Sequence, residues 1–110
     1  VERMLTKKAQ PPVDPVLGLA AQAIETGEYS RARQLLKESM ANDMENPETY
    51  NLLGISYEKE GNLLKASRFY RVAYYMDQTF QAAADNLERV CQFWRKDSKD
   101  IQWGLSIDGR

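Results

Sequence analysis

Gly27 and Gly61 stand 34 residues apart, and so do Ala32 and Ala66. Leu19 and Leu53, Leu36 and Tyr70, and Ser39 and Ala73 keep the same offset. Carried forward again, Leu53 falls on Leu87 and Tyr57 on Cys91. A period of this length makes each copy one supersecondary unit, which buries its apolar face only by stacking on its neighbours. In 110 residues there is room for two such units and half of a third, and for little else.

Inside each unit the apolar spacing is helical. Asp14-Pro15 opens the first helix, since Asp is a good N-cap and Pro suits the first helical position. Val16, Leu19, Ala20, Ala23 and Ile24 form its stripe, and Gly27 stops it. Ala32, Leu35, Leu36, Ser39 and Met40 mark a second helix, ending near Asn42-Asp43. Asn46-Pro47 repeats the opening chemistry, with Glu48 in the first turn where the helix dipole favours an anion. Tyr50, Leu53, Gly54 and Tyr57 mark the third helix, and Gly61 stops it. Asn62 caps a fourth helix with the stripe Leu63, Ala66, Phe69, Tyr70, Ala73 and Met76. Thr79 is the predicted cap of a fifth helix reaching Lys96, with Ala83, Ala84, Leu87, Val90, Cys91 and Trp94 on its stripe. After that the period changes: Ile101, Trp103, Leu105 and Ile107 alternate with polar or small residues, as in an extended segment with one apolar side.

The central copy, residues 47–80, carries Tyr50, the pair Leu53-Gly54, Tyr57, Gly61, Ala66, Tyr70 and Ala73 at spacings that resemble the tetratricopeptide repeat. Tyr50 stands at that family's usual Trp position, and Gln78 replaces its terminal Pro. The first copy, 13–46, is weaker: Val16, Ala20 and Ala23 replace the Trp, Gly and Tyr. The third stops after one helix, with Glu88 where a small residue is usual. The resemblance covers about three-quarters of the chain, and weak outer copies suit end units. It implies an all-α, right-handed α-α superhelix: a domain over 13–97 with two hairpins (13–46 and 47–80) and a capping helix (81–97), preceded by an arm (1–12) and followed by a short extended tail (98–110). Gly54 and Ala66, nearly without side chains, let two helices approach, with Leu53, Tyr57, Phe69 and Tyr70 filling the space beside them. The expected crossing is the shallow class of about 20°. Two hairpins and a closing helix make a small solenoid, for which modest stability or help from self-association is expected.

Composition excludes several functions. With 15 Lys and Arg against 16 Asp and Glu, the chain has no dense basic face for nucleic acid or for an anionic membrane. No apolar run approaches the roughly 20 residues that span a bilayer. The N-terminal VERMLTKKAQPP has no signal-peptide core, and a helix over 2–9 or a mobile arm are its two readings, since Pro11-Pro12 prevents continuation. Val1 in place of an initiator Met suggests a piece of a longer protein. One cysteine permits no intrachain disulfide and favours a reducing, cytoplasmic compartment. With no His, neither a Ser-His or Cys-His nucleophile nor a His/Cys zinc site can be built. A non-catalytic chain without metal or cofactor is therefore expected.

In the family the first helix of each repeat lines a concave groove. The resemblance places Leu17, Ala21, Ile24 and Glu25 there from the first repeat, and Glu48, Asn51, Ile55, Glu58 and Lys59 from the second. The fifth helix adds Asp85, Arg89, Gln92 and Phe93. None of these is needed for the hairpin core, which leaves them for a peptide or helix with apolar anchors and some basic character. A solvated face is the competing reading. A family subset clamps a C-terminal carboxylate, but Leu17 and Ala21 occupy the places of its Lys and Asn, so that ligand is rejected. Tyr57 and Tyr70 read as core positions and Tyr74 and Tyr75 as packed at the repeat junction or exposed, rather than as a cation cage, and the pairs Glu58/Glu60 and Asp97/Asp100 read as exposed helical charges. Cys91 reads as a buried, inert thiol.

The tail is harder to place. Ile101, Trp103, Leu105 and Ile107 should not stay in water without reason. They fold back onto Trp94, Phe93 or the groove, pair with another copy, or dock on a partner; a disordered tail is the remaining reading. The expected function is an adaptor or scaffold that binds a protein or peptide in its groove. The alternative is a structural domain that homo-oligomerises or packs against the rest of a larger polypeptide through the tail.

Overall fold

Asp14 and Asn46 cap the helices that follow them in the same way. The Val16 N–H donates to Asp14 Oδ1 at 2.9 Å and the Glu48 N–H to Asn46 Oδ1 at 3.0 Å. In the computed structural model, which describes residues 14–92 and 101–105, five α-helices follow: α1 Pro15–Glu25, α2 Tyr29–Asn42, α3 Pro47–Lys59, α4 Leu63–Met76 and α5 Gln81–Cys91. The described residues contain no strand. The expected arm, the end of the fifth helix with Phe93 and Trp94, and Ile107 lie outside the described residues.

The helices form two hairpins with matching turns. Gly27 and Gly61 adopt φ of 85° and 91°, which only a residue without Cβ takes easily. At the first turn Glu28 N–H donates to Ala23 O and Gly27 N–H to Ile24 O; at the second, Asn62 N–H donates to Tyr57 O and Gly61 N–H to Glu58 O. This pair of hydrogen bonds satisfies carbonyls that a helix end leaves open. α1 packs on α2, α3 on α4 and α4 on α5, while α2 and α1 both pack on α3.

The close approach expected at Gly54 is present. A Cβ there would lie 2.4 Å from the Tyr70 ring, so the ring rests directly on the α3 backbone. Ala66, Tyr70 and Ala73 are fully buried beside it. Polar contacts brace the first unit and join it to the second. Ser39 Oγ donates to Asp14 Oδ2 at 2.9 Å, tying the end of α2 to the cap of α1. Arg33 reaches from α2 to Ser56 Oγ at 3.1 Å and to Glu60 at 3.0 Å. Tyr50 Oη donates to Met44 O at 3.0 Å and fixes the connection before α3.

Several expectations are corrected. Leu19 is 49% exposed although its repeat counterpart Leu53 is 6% exposed, because α3 has α2 packed before it and α1 has no described helix in front. Leu63 and Met76 are also exposed, at the two ends of α4. Thr79 does not cap α5: its N–H and Oγ1 donate to Asp77 Oδ1, drawing the Asp77 carboxyl below its usual range, and Phe80 takes the cap position without a side-chain bond. Cys91 is exposed rather than buried, since no described helix follows α5 to cover it. Residues 101–105 are not a strand; they follow an irregular path with Gly104 at φ 73°.

Candidate functional site

Asn86 sits on the buried stripe of α5, between Ala83 and Val90, and is 0% exposed. An amide in that position costs free energy unless its donors and acceptor are used. All are used. Nδ2 donates to Asn51 Oδ1 at 3.0 Å and to the Gln102 carbonyl at 2.7 Å. Oδ1 accepts from the Gln102 N–H at 2.8 Å and from Arg89 Nη2 at 2.9 Å. Asn51, equally buried, donates from Nδ2 to the Gln102 and Trp103 carbonyls, each at 3.0 Å. Two side-chain amides, one from α3 and one from α5, thus hold three main-chain polar groups of the tail.

A buried ion pair stands beside them. Arg89 of α5 bonds both Glu58 oxygens, Nη1 to Oε2 and Nη2 to Oε1, the latter at 3.0 Å. The two side chains are 7% and 12% exposed. Tyr70 Oη donates to Glu58 Oε1 at 2.6 Å, so the residue that fills the Gly54 seam also orients the carboxylate. Burial, then the Glu58 charge and hydrogen bond, push the Tyr70 hydroxyl far above its usual value. Burial acts to lower the Arg89 guanidinium, but the hydrogen bond and charge of Glu58 outweigh it and hold the group above its usual value. Arg89 Nε is buried without a partner among the described residues.

The tail runs opposite in direction to α5, with Gln102 at Asn86 and Gly104 at Ala82 and Phe80. Leu105 is 2% exposed and shares one core with Leu17, Ala21, Ile24 and Ile55, each exposed by 2% or less. This corrects the expectation that those four residues are spare to the core: they are part of it. Ile101 and Trp103 pack half-buried against the same core. The Lys59 ammonium lies 5.9 Å from the centre of the Trp103 ring. Of the tail readings, folding back onto this face is the one seen for residues 101–105.

The structure therefore sets Asn51 and Lys59 against Trp103 and links Glu58 and Arg89 to Asn51 through Asn86. It does not bring in Asp85, whose Oδ1 accepts from Gln81 of its own helix at 2.9 Å. Glu25 is exposed at the end of α1; Gln92 is half-buried just past the end of α5. Glu48 is half-buried in the first turn of α3, where burial raises its carboxyl above the usual range. Phe93 and Ile107 lie outside the described residues. The tyrosines make no common cage: Tyr70 is buried, Tyr75 is exposed, and Tyr57 stacks on Phe69 with its own Arg33 and Lys65 against it.

Sequence reasoning missed Asn86 and Gly104. Asn86 carried a signal, a polar residue on an otherwise apolar stripe. Gly104 carried none, because its need is set by Phe80 and Ala82, far away in the chain. Among the described residues, no group of three His, Cys, Asp or Glu could hold a metal ion, and no helix is long and apolar enough to cross a membrane. Comparison of the chain with protein-family models, curated proteins and solved structures finds no match in any of the three.

Proposed function

We propose that this chain is a tetratricopeptide-repeat module, a right-handed superhelical fragment of two hairpins and a closing helix. Its role is non-catalytic: it holds a peptide segment of another protein as an adaptor or scaffold. The 34-residue recurrence, the matching turns at Gly27 and Gly61 and the Gly54–Tyr70 seam support the family assignment. The observation that carries the function is the amide pair Asn51 and Asn86 gripping main-chain groups of residues 102 and 103. A side-chain amide that pairs with a peptide N–H and C=O does what a neighbouring strand does in edge-on peptide recognition. Such a grip accepts a non-helical segment from any chain that fits beside it, and the tail supplies one in cis.

The test adds a labelled peptide of residues 98–110 to the full chain and follows anisotropy. Saturable binding that disappears with Asn86→Ala, in a variant whose helicity is unchanged by circular dichroism, is the expected result. If no saturation occurs up to millimolar peptide, either in the unaltered chain or in a folded Trp103→Ala chain whose own tail is weakened, the adaptor reading fails.

The structural alternative has one observation in its favour. Ala84, Leu87 and Cys91 of α5 and Arg71 and Tyr74 of α4 line an open recess on the flank where a further unit would stack. A rise in molecular mass with concentration, abolished by Leu87→Glu, would support assembly through that flank.

A further inference from the structure

The seat of residues 102–105 combines four requirements. The main chain at 102 and 103 is held by Asn51 and Asn86. The side chain at 103 is a half-buried aromatic ring with the Lys59 ammonium 5.9 Å from its centre, a distance at which a cation is attracted to the ring face. Position 104 has φ 73°, and a Cβ there would lie 2.5 Å from the Phe80 ring and 3.0 Å from the Ala82 Cβ, so both conformation and space demand glycine. Position 105 is an aliphatic side chain 2% exposed inside the common core.

We infer that the groove is a socket for an aromatic-glycine-aliphatic segment of a partner protein, and that Trp103-Gly104-Leu105 is a resident occupant the partner must displace. This rests on the peptide-binding reading above and adds the chemistry of the ligand. The amide pair supplies affinity without regard to side chains. The positive φ and the Phe80–Ala82 wall select glycine at the middle position, and the buried socket disfavours polar residues after it. Because the tail is tethered, its effective concentration is on the order of millimolar, so a partner segment binds well only when it outcompetes that local supply.

The test uses the full chain and labelled ten-residue peptides copied from residues 99–108. The natural peptide should bind a Gly104→Ala chain about tenfold more tightly than the unaltered chain, because the resident competitor is weakened. On that Gly104→Ala chain, peptides carrying the Gly104→Ala or Leu105→Asp change should bind at least about tenfold more weakly than the natural one, and a Leu105→Ile peptide about as well. A Trp103→Ala chain serves as a second weakened competitor should Gly104→Ala disturb the helices, which circular dichroism reports. Equal binding of all four peptides overturns the glycine and aliphatic requirements, equal binding of a Trp103→Ala peptide overturns the aromatic one, and either leaves the main-chain grip standing. No binding to any folded variant overturns both. A doubling of mass across micromolar concentrations that Leu87→Glu leaves intact and Trp103→Ala abolishes assigns the seat to a second copy's tail and overturns the partner.

Discussion

α3 has a neighbour on each side, and the two seams are built from different chemistry. Towards α1 it is apolar: Leu17, Ala21 and Ile24 are buried without a charged or amide group among them. Towards α5 it is polar: Asn51 bonds Asn86 and Glu58 pairs with Arg89. Apart from Asn86, whose counterpart 34 residues earlier is Leu52, these are the same repeat positions. Leu17 lies 34 residues before Asn51, Ile24 before Glu58, and Ala21 before Ile55, which lies 34 before Arg89. The first unit spends these positions on its own core; the second and third place there Asn51, which holds the main chain of the tail, and the Glu58–Arg89 pair, while Ile55 stays in the core. A groove position in such a stack is therefore decided by which seam it faces, and family register alone does not tell the two apart.

The comparison breaks most sharply at Glu58. Glu58→Ala strands a guanidinium 7% exposed, and stability should fall by about 3–5 kcal/mol in urea unfolding. A loss below about 1 kcal/mol would mean the pair behaves as a screened surface bridge, and the polar seam would lose its distinction. Leu17→Ala on the apolar seam should cost about 2–5 kcal/mol through its cavity. It should leave the Gln102 amide as protected from hydrogen exchange as before, because that proton is held by Asn86.

Asn86→Ala should show the reverse pattern. The stability loss is smaller, about 1–3 kcal/mol, yet protection of the Gln102 amide collapses. If Leu17→Ala and Asn86→Ala change that amide alike, the seams are one cooperative unit and the division is wrong.

Tyr70→Phe sharpens the link between them, since Tyr70 packs on Gly54 and donates to Glu58. The expected cost near neutral pH is about 1–2 kcal/mol. Because the folded phenol is held above its ordinary value, the unfolded chain loses this proton first as pH rises past about 10. The unfolded state then binds fewer protons than the folded one, so stability falls with rising pH in that range. The Phe variant should lack that share of the alkaline slope; identical slopes would remove Tyr70 from the account.

Helices and hairpins were legible because their causes are local. Asp14-Pro15, Asn46-Pro47, Gly27 and Gly61 start and stop helices through bonds within a few residues, and the apolar period did the rest. Asn51, Glu58, Lys59 and Arg89 were reached through the repeat register, which carries position but not environment. The same register took Leu17, Ala21, Ile24 and Ile55 to be open when they are buried, and Leu19 to be buried when it is exposed. Thr79 looked like a helix cap because its type suits one, yet Asp77, two residues away, takes both its donors.

By itself the sequence determined an all-helical chain of 34-residue units, the close seam at Gly54, and the absence of histidine-based chemistry. These follow from residue type and spacing. Only the tertiary structure decided that Asn86 meets Asn51, that Glu58 takes Arg89 and Tyr70 together, and that residues 101–105 fill the face between α3 and α5. The reason is range. A cap or period is set by neighbours in the chain, whereas whether an amide is buried and what it holds depends on elements 16 to 52 residues away, placed only when the units stack.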